Sequence, residues 1–349
     1  MRYVIIGAGA IGGVVAARLA QHSPERPPLL IARGDHGEAI EAAGLRVRSP
    51  DDDTVIRLPM ATSAAGVHLQ IDDVLIFATK TQQVERALVE WADQPVHDGT
   101  EFVGVAGVIL PAFMALNGVE SERIASRYFV RVFAVCVWLP GVHLTPGEVI
   151  VRIAPSSGTF IVGRYAAPPS DSDRELLRVL EADWSRSTFR IHRADDVMRW
   201  KYRKLLSNLG NALQALVGPD VAGTRELHER LEAEATRVFG AAGIEWPSAA
   251  DEEAWRGDAF DIRAVPGVEG DLGGSSWQSI RRGTGSIETD YLNGEVALLA
   301  RLNGLDAPLN AEVQRLARLA AAAGTVGSMT VGQLGAALDA VEPAALVVD

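Results

Sequence analysis

A glycine-rich turn close to the N-terminus constrains this chain more than any other feature. Tyr3-Val4-Ile5-Ile6 is a continuous apolar run, as in a parallel strand buried on both faces. Gly7-Ala8-Gly9-Ala10-Ile11-Gly12 follows at once, and helical periodicity then runs from about Ala10 to Gln21. In such a strand–turn–helix the first glycine permits the tight turn. The second lets a pyrophosphate approach the backbone, and the third lets the helix pack on the strand. The helix N-terminus favours the anion. A bare GxGxxG is weak evidence, but between a strand and a helix it points to a dinucleotide-binding unit.

The second strand bears on which dinucleotide is bound. Sites for NAD usually place an acid near its end, to hold the ribose 2′-hydroxyl. Here the strand ends Ile31-Ala32-Arg33-Gly34. Arginine suits a 2′-phosphate, so NADP(H) is expected, with Asp35 left as a group that could turn back to a ribose.

The rest of the first half alternates β-rich runs with helical patterns, which argues for a parallel sheet covered by helices. Leu45 to Arg48 and Val55 to Leu58 flank a turn-rich segment and read as a hairpin. Val74 to Phe77 reads as a central strand followed by a helix near Gln82 to Trp91. Val103 to Leu116 fits either one long strand and loop or two strands. Past about residue 194 the β-branched runs give way to amphipathic patterns near 195–217, 224–242, 287–303, 309–323 and 330–340. Gly257 to Gly274 reads as a loop. The expected class is α/β: a Rossmann-type dinucleotide-binding domain over 1–193, followed by an all-α domain over 194–349.

The most unusual helical segment contains Trp200, Lys204, Asn208 and Asn211. The last three are spaced i, i+4, i+7 and share one face of a continuous helix. Leucines cover much of the remaining circumference, so the helix should be buried. Amides and an ammonium there need partners, and a polar substrate is one. A solvated stripe explains Lys204 alone, but less readily two asparagines, which are poor helix formers. Glu288 and Asp290, taken alone, read as ordinary solvated carboxylates at a helix start.

Five segments taken together resemble the ketopantoate reductase family. They are the loop Gly7 to Gly12; Lys80 in Thr79-Lys80-Thr81-Gln82; Asn117-Gly118; Lys204 with Asn208 and Asn211; and Ser276 with Glu288-Thr289-Asp290-Tyr291-Leu292-Asn293-Gly294. Pro308 and Asn310 extend the match. Leu116 stands where the family often has a polar residue, and Asn208 and Asn211 are closer than in some relatives. The resemblance implies a Rossmann domain, a helical domain, a cleft between them, and NADPH-dependent reduction of a 2-keto acid, 2-dehydropantoate above all. It implies Lys204 as general acid and Glu288 holding the far hydroxyl of the substrate. Asn208, Asn211 and Ser276 would hold the rest of the substrate, with Lys80 and Asn117 beside the nicotinamide. A lysine, with an ordinary pKa of about 10.4, starts protonated and can neutralise the alkoxide that hydride addition leaves.

Composition narrows the alternatives. Thirty-three basic against 45 acidic residues leave a net charge of −12, unsuited to nucleic acid. The single cysteine, Cys136, excludes an intrachain disulfide and fits a reducing, cytoplasmic setting; it reads as a buried thiol in a strand. The seven histidines show no helical metal-site spacing, so no metal is expected. The longest uncharged run, Phe102 to Leu116, is too short for a membrane helix. Apolar helices permit a homodimer without requiring one. A different 2-keto acid or ketone as substrate, or a dinucleotide sensor without catalysis, stands as the alternative.

Overall fold

A computed structural model describes residues 1–219, 222–257, 261–270 and 272–341. They gather into two compact units. One comprises Met1–Lys201 with the described part of Pro247–Glu269, and the other Tyr202–Trp246 with the described residues from Gly270 onward.

The first unit is built on an eight-stranded sheet: β1 (Arg2–Ile6), β2 (Leu29–Ile31), β3 (Met60–Ala61), β4 (Asp73–Phe77), β5 (Pro111–Met114), β6 (Arg131–Trp138), β7 (Gly158–Arg164) and β8 (Phe189–Arg193). Their spatial order is β8-β7-β6-β5-β4-β1-β2-β3, and all neighbours are parallel except β6 and β7. The chain winds outward from β1 through β2 and β3, then returns to β4 and winds the other way. The order therefore reverses between β1 and β4, the position where open α/β sheets bind ligands at their carboxyl ends.

Alternation along the strands explains the apolar runs. Tyr3 and Ile5 of β1 join a core with Val14, Val15 and Leu19 of helix α1 (Ala10–His22). Val4 and Ile6 face the opposite core. Helix α2 (Gly34–Ala43) follows β2. Helix α3 (Thr81–Ala92) fills the second core with Val84, Leu88 and Trp91. Helix α4 (Asp171–Arg186) adds Leu177, Leu180 and Trp184 to the first core. Its N-terminus is closed by a capping box of Ser170 and Asp173. The expected hairpin pairs Leu45–Arg48 with Asp53–Ile56, and Glu148–Val151 joins it in parallel. The ambiguous 103–116 stretch resolves into two strands, Glu101–Val105 and β5, separated by a helical turn at Ala106–Ile109. Cys136 is buried in β6, with its thiol donating to the Trp200 carbonyl.

Helix α5 (Val197–Asn208) carries the chain out of the first unit. Val197 and Trp200 pack with Ala134, Cys136 and Trp138. The division by packing therefore differs from the chain-order division at 193/194: residues to Lys201 group with the sheet, and the described residues of 247–269 return to it. Trp255 stacks on Trp200 at 4.2 Å, and its carbonyl lies 3.0 Å from His192 Nε2. Ile262 bridges Ile153, and Arg263 pairs with Asp51 at 2.8 Å.

The regular elements among the second unit's described residues are all helical: α6 (Gly210–Val217), α7 (Arg225–Ala241), α8 (Ser275–Arg281), α9 (Asn293–Leu302), α10 (Pro308–Ala323) and α11 (Val331–Asp339), with 3₁₀ turns at Ala222–Thr224 and Glu288–Tyr291. Its core includes Leu213, Leu216, Leu231, Val238, Phe239, Val296, Val313 and Ala317. Pro308 opens α10, whose first amides bond to the Glu234 carboxylate at 3.0 and 2.8 Å.

Candidate active site

The site residues of the first unit stand at the carboxyl edge of its sheet. The Gly7 amide donates to the Ile31 carbonyl (3.2 Å), Ala78 to Ile6 (2.9 Å) and Ala115 to Phe77 (2.8 Å). These bonds align the loops that follow β1, β4 and β5. Gly7 has φ +109°, and a Cβ there would meet the Ala78 carbonyl at 2.9 Å. A Cβ on Gly12 would come within 1.9 Å of the Gly7 carbonyl oxygen. Gly9 differs: it has φ −65°, and nothing lies within 4 Å of an added Cβ. No side chain caps α1, and its first turn holds no acid. The glycines thus make a close-packed turn and leave the positive helix end open to an anion, as a dinucleotide pyrophosphate requires.

Lys80 and Asn117 each lie three residues past the end of their strand, and both are half-buried. Thr81 Oγ1 donates to the Asn117 carbonyl at 3.4 Å, which brings the two loops together beside the glycine turn. Thr79 Oγ1 is buried there without a hydrogen-bond partner, a polar orphan that a ligand would satisfy. Arg33 precedes α2, as expected, but its guanidinium is engaged. Nε donates to the Thr62 carbonyl (2.8 Å) and Nη2 to Glu90 Oε2 (2.5 Å). Burial works to raise the Glu90 carboxyl, but the Ala64 amide and Arg33 outweigh it and hold it below its ordinary value.

In the second unit, the expected single helix through Lys204, Asn208 and Asn211 is broken at Leu209, so Asn211 belongs to α6. The break has identifiable causes. His228 Nε2 takes the Leu206 carbonyl at 3.0 Å, and Asn293 Nδ2 donates to the Leu209 carbonyl at 3.4 Å. Gly210, a poor helix former, opens the next helix. Asn293 also donates to Asn310 Oδ1 (3.1 Å), and Asn310 to Glu234 Oε2 (2.8 Å). A buried amide–carboxylate chain therefore braces the break.

Around it, polar groups converge. Lys204 is half-buried one turn before Asn208, and Asn208 is only 5% exposed with its Nδ2 unpartnered. A Cβ on Gly274 would lie 2.9 Å from Asn211 Oδ1, so Asn211 abuts the start of α8. The Gly274 amide donates to Gln214 Oε1 at 2.6 Å. The next residue, Ser275, donates to Glu288 Oε2 at 3.3 Å. Glu288 is 4% exposed, unlike an ordinary surface acid, whereas Asp290 is half exposed and holds Gln314 at 2.7 Å.

Two features were not read from the sequence. Ser275, the neighbour of the expected Ser276, bonds to Glu288, and Ser276 is itself buried in α8. Helical phase carried the signal: Ser276 lies four residues before buried Ile280 and shares its inward face. The other is Lys201, which is buried and ion-paired with fully buried Glu122. No group of His, Cys, Asp and Glu among the described residues is arranged to hold a metal, and no described helix is long and apolar enough to cross a membrane.

Comparison with known proteins places this geometry in a family. The profile "Ketopantoate reductase PanE/ApbA" matches residues 3–167, and "Ketopantoate reductase PanE/ApbA C terminal" matches residues 196–321. The chain belongs to the ketopantoate reductase family. It is therefore an oxidoreductase of ketopantoate reductase type, acting on a keto group. A 2-dehydropantoate 2-reductase of Mesorhizobium japonicum is 28% identical over 330 residues, covering 86% of this chain and 92% of the relative. One from Pyrococcus horikoshii is 24% identical over 317 residues, covering 89% and 94%. Among solved structures, a ketopantoate reductase from Ralstonia eutropha superposes with a TM-score of 0.72 at 23% identity, over 93% of this chain and 99% of that one. D-mandelate dehydrogenase with NADH and anilino(oxo)acetate superposes at 0.73 and 21%, with the same coverage. These structural likenesses show the ketopantoate reductase fold.

Proposed function

We propose that this protein reduces 2-dehydropantoate to pantoate with NADPH, the reductive step of pantothenate biosynthesis, in the cytoplasm. The observation that carries the reading is the buried, unpartnered Asn208 amide one turn from Lys204. A buried N–H without an acceptor is costly, and a substrate oxygen supplies one. The relatives named for this reaction support the substrate.

A bound nicotinamide supplies the hydride. Lys204 acts as the proton donor: addition at the ketone carbon leaves charge on oxygen, and the ammonium neutralises it by giving up one proton. Asn208 and Asn211 donate to the carboxylate end of the substrate. Glu288, oriented by Ser275, accepts from the distal hydroxyl, with Ser276 on the same turn of α8 as a further donor to the substrate. Glycines 7, 9 and 12, with Ala8, Ala10 and Ile11, cradle the pyrophosphate. Lys80 and Asn117 border the nicotinamide, and Arg33 receives the 2′-phosphate by leaving Glu90.

The Arg33–Glu90 pair favours one second reading, NADH-dependent reduction of another 2-keto acid, because it leaves Arg33 already neutralised. A spectrophotometric screen tests both. NADPH oxidation should be fastest with 2-dehydropantoate among branched, unbranched and aromatic 2-keto acids. A higher kcat/KM with NADH and an aromatic keto acid would replace the first reading by the second. No turnover with any pair would remove both.

A further inference from the structure

We propose that His36 is a positioning residue for the dinucleotide loop, acting as a neutral imidazole clamp on the Ala8 peptide; this rests on the assignment of the glycine loop to the coenzyme. His36 lies in the first turn of α2, three residues past Arg33. Its Nε2 is 2.8 Å from the Ala8 carbonyl oxygen, and the Gly147 amide donates to its Nδ1 at 2.8 Å. A backbone amide can only donate, so Nδ1 must be unprotonated. The ring proton therefore sits on Nε2 and points at Ala8. One tautomer, uncharged, satisfies both bonds.

The consequence follows from peptide planarity. The Ala8 carbonyl and the Gly9 N–H belong to one rigid plane and point in opposite directions. Holding the carbonyl against His36 therefore aims the Gly9 N–H away from the ring. Gly9 has no side chain to restrain it, and nothing stands within 4 Å of its would-be Cβ. Its orientation depends on the bonds of its neighbours, and His36 supplies the one on the preceding carbonyl. The clamp is itself anchored. Gly147 has φ +79°, and a Cβ there would press within 3.1 Å of Ala39 Cβ on α2. It leads into Glu148–Val151, whose Val149 packs against Gly13 of α1: a Cβ on Gly13 would meet Val149 Cγ1 at 2.8 Å. The His143 ring lies against His36 at 4.0 Å between centroids.

The test compares the wild type with His36→Leu, which removes both bonds, and His36→Gln, which keeps an N–H able to reach Ala8. Dissociation constants for NADPH and NADH are measured by fluorescence titration, and keto-acid KM and kcat at saturating coenzyme. The clamp predicts that His36→Leu weakens both coenzymes by about three- to tenfold, as the loss of one hydrogen bond does. Keto-acid KM and kcat should stay within about twofold, and His36→Gln should recover most of the loss. Unchanged coenzyme affinity in His36→Leu overturns the proposal, as does an equal loss in all parameters. A wild type that binds neither coenzyme overturns instead the assignment on which it rests. Should His36→Leu not fold, nitrogen NMR of the wild-type imidazole decides. An Nε2–H tautomer with coenzyme bound supports the clamp, and an Nδ1–H or doubly protonated ring overturns it.

Discussion

Single residues carry most of the discrimination in this molecule, and two glycines show it. Gly12 touches the Gly7 carbonyl so closely that any side chain must displace the turn, whereas Gly9 faces open space in an ordinary conformation. Gly12→Ala should therefore lower thermal stability and coenzyme affinity together. Gly9→Ala should leave the melting temperature within about a degree yet weaken NADPH binding, because its methyl group intrudes only where the pyrophosphate would lie. Calorimetry with coenzyme titration checks the pair, and equal effects in the two variants would contradict the assigned roles. Residue-level legibility in the sequence was uneven for physical reasons. The glycine loop could be read because its chemistry is local. The Ser275–Glu288 contact depends on helix phase, and the pairing of Lys201 depends on Glu122, which lies 79 residues away and announces itself in no local pattern.

At the scale of elements, the strands of the sheet were readable because burial on both faces leaves continuous apolar runs, as in β1 and β4. The α5–α6 break was not. Periodicity through Lys204, Asn208 and Asn211 suits one helix, and it is His228 and Asn293, arriving from other helices, that divert the carbonyls. Helix α4 shows the opposite case, a start closed locally by the capping box of Ser170 and Asp173. Burial tends to raise the Asp173 carboxyl, but Arg131, the Ser170 amide and the Ser170 hydroxyl outweigh it and hold it below its ordinary value. A carboxylate depressed in the folded state stabilises the fold above its unfolded pKa of about 3.9, and that contribution is lost as pH falls through the folded value. Ser170→Ala should cost about 1 kcal/mol. Asp173→Asn should flatten the loss of stability below about pH 4. Urea titrations between pH 3 and 7 check both, and an unchanged slope in Asp173→Asn would contradict the assignment.

For the whole molecule, local patterns identified an α/β half and a helical half, but not where the chain changes allegiance. The described residues of 247–269 lie far along the helical half, yet they pack on the sheet unit through Trp255, Ile262 and Arg263. Docking of this kind is set by surfaces remote in sequence. The proposed reaction assigns roles to an uncapped helix end in the first unit and, in the second, to a half-buried lysine one turn before a buried amide whose Nδ2 is unpartnered. With an overall charge of −12, holding an anionic keto acid would call for local donors of this kind. The most direct measurement of the central claim is NADPH oxidation by Lys204→Ala under saturating 2-dehydropantoate, with NADPH affinity measured on the same preparation. The account predicts a kcat lower by roughly two to four orders of magnitude and an unchanged coenzyme dissociation constant. A kcat equal to that of the wild type would contradict it.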